Sequence, residues 1–200
     1  MIKKGKGGKN TMHVPYSELK RGTFLIASPS IDKGIFFRCV ILLCDHTSLG
    51  SFGLVINKPL EVTLEQDLSQ AIQCPNNSIH MRRGGPNQPN QAILLQNFAI
   101  NEEISIEICE GIYLNMDANT IQTEMKDRAK PQHSIFYFGH GEWNRGILER
   151  EFLNNIWFLH PATSDHLFEI PIEFLWQTLL REMGGKYKIL SMLPENLNLN

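Results

Sequence analysis

The chain has 200 residues, of which 42% are hydrophobic and 20% charged, a composition typical of a protein with its own hydrophobic core. Its formal net charge is −2, but four of its 19 basic residues fall within residues 1–12. The rest of the chain therefore carries 15 basic and 21 acidic side chains, a balance that disfavours nucleic acid as a partner.

Cysteine usage and the lack of targeting features favour a cytoplasmic protein. The four cysteines, at positions 39, 44, 74 and 109, form no Cys-x-x-Cys pair and no cluster with zinc-like spacing. We interpret them as reduced and mostly buried thiols. No apolar run approaches the ~18–20 residues of a membrane span, and no apolar segment follows the N-terminal lysines as it would in a signal peptide.

The N-terminal part is predicted to contain a disordered leader, three strands and a helix. Residues 1–12 are rich in lysine and glycine, which is typical of a disordered basic leader. The middle strand is apolar on both faces, which indicates a central strand covered on both sides. A capping box at Thr63–Gln66 predicts the start of the helix. The three predicted strands are Phe24–Ala27, Phe37–Leu43 and Ser51–Asn57.

The middle of the chain alternates turns and short strands. The Arg82–Pro86 segment is interpreted as a tight turn, and the Pro/Asn/Gln-rich residues 86–91 as a loop. A helix is expected around Thr120–Arg128, ended by Pro131. Strands are predicted at Ala92–Gln96, Ile104–Cys109, Ile112–Asn115 and Ser134–Phe138.

The last third is predicted to be more helical. A glycine-rich turn is expected at Gly139–Gly146, with Asn144 capping a helix over Ile147–Asn154. A short strand follows at Trp157–Pro161. The last helix is expected to start at Pro171, carry one continuous apolar stripe and end at Gly184-Gly185.

The order of the elements favours an α+β fold. Strands, helix, strands and helices follow one another without the regular strand–helix alternation of a doubly wound sheet. A largely antiparallel sheet is therefore expected. The length fits one domain, which we assign to residues 13–192, followed by a flexible tail at residues 193–200.

Three glycine-anchored blocks near the N-terminus indicate a family. They are Gly22–Pro29, Phe36–His46 and Gly53–Pro59. Further matches are Gly84-Gly85-Pro86, Gly139, Trp143, Gly146, Leu148-Glu149, Glu151, Trp157, Pro161, Phe168 and Trp176. Over about residues 16–190 the combination resembles the YqgE/AlgH family of bacterial proteins. The resemblance implies an α+β fold in which a bifurcated sheet wraps into a pseudo-barrel with a few packed helices.

The resemblance implies little about chemistry. Some members are labelled transcriptional regulators because of their genetic effects, and no reaction is established for the family as a whole. Where the family usually has Gly-Tyr-Ala-Gly-Trp, this chain has Gly139-His140-Gly141-Glu142-Trp143. If that turn lines a site, the ligand of this protein differs from those of its relatives.

Four polar residues at the ends of apolar strands form the main candidate site: Asp32, Arg38, His46 and Asn57. Because an unpaired buried charge is costly, Arg38 is expected to pair with Asp32. Either the four residues hold a corner of the sheet, or they bind a small anion. His46 could serve as a base near neutral pH. A triad of Ser28, His46 and Asp32 is a weaker hypothesis, because the chain has no Gly-x-Ser-x-Gly elbow.

Two glycine-containing segments could border this site. Gly84 and Gly85, after two arginines, either offer amides to an anion or form a tight turn that requires glycine. His140 is of a type used in metal binding and proton transfer, but the histidines are scattered singly, so the sequence predicts no metal or cofactor. Trp143 is expected to anchor the core.

The sequence thus predicts a cytoplasmic binding or regulatory module whose partner is a small anion or another protein. Direct DNA binding is disfavoured, because the helix that starts near Thr63 carries Glu65 and Asp67 and has no recognition helix beside it. The alternative is an enzyme that acts on a small anionic substrate at the same four residues.

Overall fold

The computed structural model describes residues 18–60, 80–100, 102–117, 119–120, 123 and 134–194. The predicted leader, the capping box at residues 63–66 and most of the helix expected at residues 120–128 lie outside these ranges. Nine strands are present in the described ranges: β1 Thr23–Ala27, β2 Val40–Thr47, β3 Gly50–Val55, β4 His80–Arg83, β5 Asn87–Gln96, β6 Ile106–Cys109, β7 Ile112–Asn115, β8 Ser134–Asn144 and β9 Trp157–Pro161. The helices are α1 Ile147–Leu153, α2 Ser164–Phe168, α3 Ile172–Met183 and α4 Gly185–Leu190.

The sheet divides along β8, its longest strand. The first half of β8 lies between β5 and β4, whereas Gly141–Asn144 pair with β3. The strand order is β6-β7-β5-β8-β3-β2-β1-β9, and β4 is a branch that pairs with β8. Only the β4–β8 pairing is parallel among these strands. The sheet curls into a half-barrel, so the predicted α+β class and bifurcated, mainly antiparallel sheet are confirmed.

The central strands are covered on both faces, as their continuous apolar sequence predicts. Successive residues of β2 point to opposite faces. Leu42 packs in the same cluster as Trp176 and the rest of the apolar stripe of α3. Ile41 belongs to the opposite cluster, with Leu148 of α1 and Trp157 of β9. Each large apolar side chain buried in this way stabilises the fold by about 1.5–3 kcal/mol.

The predicted turn at Gly139–Gly146 and the predicted loop at residues 86–91 are mostly strand, and of the turn predicted at Arg82–Pro86 only Gly84–Pro86 lie between strands. Residues 139–144 continue β8, residues 87–91 belong to β5, and Arg82 and Arg83 end β4. Asn144 is the last residue of β8, and Gly146 takes the N-cap position of α1 with a φ of 75°. A Cβ atom at Gly84 would overlap the carbonyl oxygen of Gly139. The glycines are needed because two backbones approach closely there.

The C-terminal elements agree better with the prediction. The strand at Trp157–Pro161 and the helix Ile172–Met183, with Gly184 as its C-cap, are both present, and α2 and α4 are additional short helices. Pro171 takes the N-cap position of α3. In the described ranges, no helix has both the length and the apolar character needed to cross a membrane.

Candidate functional site

The backbone of Arg38 has an unusual conformation that a buried amide maintains. Arg38 precedes β2 with a φ of 48°, in the left-handed region that non-glycine residues seldom occupy. The side-chain oxygen of Asn57 accepts a hydrogen bond from the Val40 amide at 2.8 Å. The Asn57 Nδ2 donates to the carbonyl oxygen of Arg38 at 2.9 Å. Asn57 thus bonds the chain on both sides of Cys39 and fixes Arg38 in place.

The guanidinium of Arg38 lies against aromatic rings. Its Cζ is 4.9 Å from the centre of the Trp176 ring and 5.5 Å from that of Phe37. Arg38 Nη2 also donates to the carbonyl oxygen of Leu193. Trp176 is itself fixed, because its Nε1 donates to the Ala27 carbonyl oxygen at 2.8 Å. A planar guanidinium stacks well on such faces, and an attraction of about 0.5–2 kcal/mol is typical.

A second cation lies beside Arg38. Lys58 Nζ donates to the carbonyl oxygen of Phe37 at 2.6 Å and is 6.0 Å from the centre of the Phe37 ring. Both cations border an open depression of about 220 Å³, here called the Arg38 depression. It is lined by Phe37, Arg38, Asn57, Lys58, Ile172, Glu173, Trp176 and Gln177.

The described lining of the Arg38 depression contains more cations than anions. Among the described residues, two cationic side chains and one carboxylate, that of the exposed Glu173, line it. The first turn of α3 forms one wall, and its N-cap, Pro171, has no side chain that can accept a hydrogen bond from the helix amides. The positive end of a helix dipole favours anions. The arrangement therefore suits a small anion.

The predicted ion pair between Asp32 and Arg38 is absent, and this prediction is wrong. Asp32 is exposed, and no salt bridge joins it to any of the described residues. The expectation assumed a buried guanidinium, but Arg38 is only half-buried, and its charge meets aromatic faces and a carbonyl oxygen.

His46 lies far from Arg38. Its Nδ1 is 2.8 Å from Ser51 Oγ at the other end of the hairpin formed by β2 and β3. His46 lies six residues after Val40 along an extended strand, a distance of about 20 Å. The predicted four-residue site is therefore divided, with Arg38 and Asn57 together at one end and His46 at the other.

The same separation excludes the proposed catalytic triad. Ser28 follows β1 at the end of the sheet where Arg38 lies, because Ile26 pairs with Val40. Its Oγ accepts a hydrogen bond from the hydroxyl of Ser30 at 3.1 Å. His46 is too far away to take a proton from this hydroxyl.

The backbone of Gly84 is hydrogen-bonded to two neighbouring segments of the sheet. The Gly84 amide donates to the Phe138 carbonyl at 2.7 Å, and the Gly84 carbonyl accepts from the Val55 amide at 2.7 Å. The preceding Arg82 donates to the Ile56 carbonyl at 3.2 Å and to the hydroxyl of Tyr137 at 3.3 Å. Since the Gly84 amide already has a partner, this segment is not an open anion-binding loop.

His140 and Trp143 lie on β8 and are not among the residues that line the Arg38 depression. His140 pairs with Asn87 of β5, and Trp143 pairs with Ser51 of β3. The ring of His140 is buried, with its centre 5.1 Å from that of Phe52, and its Nε2 is 4.0 Å from a carboxylate oxygen of Glu142. His140 Nδ1 has no hydrogen-bond partner among the described residues.

Trp143 anchors the core, as expected, through a shared acceptor. Glu151 Oε2 accepts hydrogen bonds from the indole nitrogens of Trp143, at 2.8 Å, and Trp157, at 2.7 Å. The two rings meet edge to face at 6.3 Å. Trp143 thus stabilises the fold around α1 and does not border the Arg38 depression.

Two of the described cysteines, Cys39 and Cys44, are buried thiols, as expected, and Cys109 is partly buried. Burial raises the pKa of Cys39 and Cys44 well above the ordinary thiol range. Burial also raises the pKa of Cys109. A thiol that stays protonated is a poor nucleophile and a poor metal ligand.

Three features of the candidate sites are not predicted from the sequence. Lys58 directly follows the predicted site residue Asn57 and lines the same depression. Trp176 is identified from the sequence only as a residue shared with the family, although its ring also supports Arg38. The structure further brings His160 and His166 together beside Glu182, a grouping that single scattered histidines do not predict.

Comparisons with known proteins identify relatives along most of the chain. Residues 24–188 match the AlgH-like family model. A UPF0301 protein from Chlamydia felis is 44% identical over 187 residues, which are 94% of this chain and 98% of the relative. One from Chlamydia abortus is 43% identical over 187 residues, with the same coverage.

Two solved structures share the fold. The solution structure of the AlgH protein from Pseudomonas aeruginosa matches with a TM-score of 0.68 and 24% identity, covering 97% of this chain and 98% of that one. A crystal structure of a protein from Corynebacterium diphtheriae matches with a TM-score of 0.69 and 20% identity, covering 87% and 92%. At these identities the likeness establishes the fold and nothing about a ligand.

Proposed function

The chain belongs to the AlgH-like family, and on that premise we propose that it is a cytoplasmic binding module that holds a small carboxylate or phosphate in the Arg38 depression. Any regulatory effect would follow from this binding and would reach transcription indirectly. The acidic balance of the chain beyond residues 1–12 supports an indirect route, because direct contact with DNA needs a basic surface.

The conformation of Arg38 is the observation that carries the proposal. A non-glycine residue in the left-handed region costs about 1–2 kcal/mol and persists only where the surroundings enforce it. Here Asn57 enforces it with two hydrogen bonds from a buried position. Such strain is concentrated at ligand clamps, and this strained residue carries a guanidinium that borders a depression.

The chemistry around the guanidinium supports an anionic ligand. Arg38 offers several donors in a fixed planar geometry that matches carboxylates and phosphates. Lys58 adds a second positive charge, and the first turn of α3 adds a partial one. Glu173 on the exposed rim opposes highly charged anions and so favours small ligands of low charge.

Binding is better supported than catalysis. Among the described lining residues the one acidic side chain is that of Glu173, which is exposed. The predicted base, His46, is about 20 Å away along β2. The described part of the depression thus offers cations to hold an anion and no buried base to transform it.

Isothermal titration of the full chain with inorganic phosphate and with succinate tests the proposal. Arg38→Asn removes the charge but keeps a residue that tolerates the left-handed conformation, so the fold should survive. Losing a hydrogen bond to a charged group costs about 1.5–3 kcal/mol, so binding should weaken roughly ten- to a hundredfold. Arg145→Asn, at an exposed position outside the depression, is the matched control and should bind normally.

Two results would overturn the proposal. One is the lack of saturable binding of either anion to the unaltered protein at millimolar concentration. The other is equal binding to the Arg38→Asn and Arg145→Asn variants, which would place the anion elsewhere.

A further inference from the structure

We propose that His160, His166 and Glu182 form a binding site for one Zn²⁺ ion or a similar divalent transition-metal ion. The three residues come from different elements: His160 from β9, His166 from α2 and Glu182 from the last turn of α3. Their ligand atoms all lie within 4.8 Å of one another. The fold thus assembles three donors that are distant in sequence.

The spacing of these donors suits a small tetrahedral metal site. The Nε2 atoms of His166 and His160 lie 2.9 Å and 3.5 Å from Glu182 Oε2. In a tetrahedral zinc site with bonds of about 2.0–2.1 Å, neighbouring ligand atoms are about 3.3 Å apart. The two observed distances lie on either side of this value, so small side-chain rotations would suffice.

Hydrogen bonds at the other ring nitrogens orient both histidines. His160 Nδ1 is 2.8 Å from the carbonyl oxygen of Pro161. Since a carbonyl oxygen only accepts, this nitrogen carries a proton and leaves Nε2 as the donor to a metal. His166 Nδ1 is 2.7 Å from Thr163 Oγ1, which also caps α2. Metal-bound histidines characteristically have such a second partner.

The histidine rings are held in place, whereas the carboxylate faces solvent. The side chains of His160 and His166 are 18% and 12% exposed, and that of Glu182 is 44% exposed. The two imidazole rings meet edge to face at 5.3 Å, and Phe24 supports the ring of His166 at 6.0 Å. The arrangement gives a metal an open approach and leaves its fourth position for water or another ligand.

The donor set selects the class of metal. Two imidazole nitrogens and one carboxylate oxygen suit Zn²⁺ and its transition-metal neighbours. Mg²⁺ and Ca²⁺ prefer sites made of oxygen ligands. A metal-free cluster, in which Glu182 simply pairs with a protonated histidine, is the competing explanation, and it makes the opposite prediction for zinc binding.

The metal site is separate from the Arg38 depression. Glu182 lies six residues beyond Trp176 on α3, a rise of about 9 Å along the helix. The two proposals therefore stand on different residues and can fail independently.

Titration of the full chain with Zn²⁺, after treatment with a chelator and its removal, tests the proposal. We expect one Zn²⁺ per chain with micromolar or tighter affinity, and no competition from Mg²⁺. Glu182→Gln and His160→Gln should each weaken zinc binding at least tenfold. Glu182→Gln should fold normally because this side chain is partly exposed. His80→Gln, at an exposed histidine on β4, is the control and should leave zinc binding unchanged.

Thr163 supplies a second test, since we propose that it positions His166. Thr163→Val should weaken zinc binding roughly tenfold, a typical cost of losing an outer hydrogen bond, while Thr163→Ser should retain it. Failure of the unaltered protein to bind zinc at micromolar concentration would overturn the proposal. Equal zinc affinity in the Glu182→Gln, His160→Gln and His80→Gln variants would also overturn it, because the ion would then lie elsewhere.

Discussion

Replacement of Asn57 by alanine would remove the amide that holds the backbone around Arg38. Two hydrogen bonds would be lost, one from the Val40 amide and one to the Arg38 carbonyl. Val40 is fully buried, so its amide would lose its partner without access to water. A buried group left in this state costs about 1–3 kcal/mol.

Loss of the hydrogen bond from Asn57 to the Arg38 carbonyl should cost less free energy than loss of the bond from the Val40 amide. Arg38 is half-buried, so water can replace part of what its carbonyl loses, and about 0.5–1.5 kcal/mol is a reasonable value. Together the two losses should lower the free energy of unfolding by about 2–4 kcal/mol, a large part of the ~5–15 kcal/mol that holds a typical domain together. The left-handed conformation of Arg38 should relax in the variant, and anion binding should weaken with it.

Urea unfolding at equilibrium measures the effect. The urea concentration at the midpoint of unfolding should fall, while the dependence of the unfolding free energy on urea concentration should stay constant. This pattern shows that the stability of the fold has changed and its compactness has not. Asn144→Ala, at an exposed asparagine at the end of β8, is the matched control and should change stability by no more than about 0.5 kcal/mol. If Asn57→Ala were as stable as this control, the reasoning that Asn57 clamps the Arg38 backbone would be refuted.

Three further predictions concern the rest of the fold. Glu151→Ala should cost about 2–5 kcal/mol in unfolding free energy, because two buried indole N–H groups lose their acceptor, whereas Glu149→Ala on the same helix should cost far less. Burial raises the pKa of the Cys39 and Cys44 thiols above the ordinary 9.0, so above about pH 9 the unfolded chain loses protons that the native chain keeps. Stability measured by urea unfolding should therefore be constant near neutral pH and fall above about pH 9, less steeply in a variant with both thiols replaced by alanine. Gly84→Ala should lower the melting temperature sharply, because its Cβ would overlap a carbonyl oxygen of β8.

The central strands could be predicted because their signal is local. The continuous apolar sequence of β2 indicates burial on both faces whatever the partner strands are. The division of the candidate site also follows from strand direction. Arg38 precedes β2, and His46 lies next to its last residue. Asn57 follows the antiparallel β3, so Asn57 returns to the end at which Arg38 lies. Local pattern puts all four residues near strand ends, but only the direction of each strand tells which end each residue occupies.

Other features depend on contacts between distant segments. Glycines such as Gly84 and Gly139 are typical of turns, but here they allow the segment after β4 to approach the backbone of β8 closely. The support of Arg38 by Trp176 depends on how α3 docks over β1, 138 residues along the chain from Arg38. His160 and His166 meet Glu182 for the same reason. Local pattern carries no information on such docking.

The most direct test of an anion site at Arg38 is a titration with phosphate followed by nuclear magnetic resonance. The indole N–H signals of the three tryptophans are observed during the titration. Trp176 lines the Arg38 depression, whereas Trp143 and Trp157 are bonded to Glu151 elsewhere. We predict that the Trp176 signal moves saturably, that the other two stay in place, and that Arg38→Asn abolishes the movement. A stationary Trp176 signal, or one that moves equally in Arg38→Asn, would contradict an anion site at Arg38.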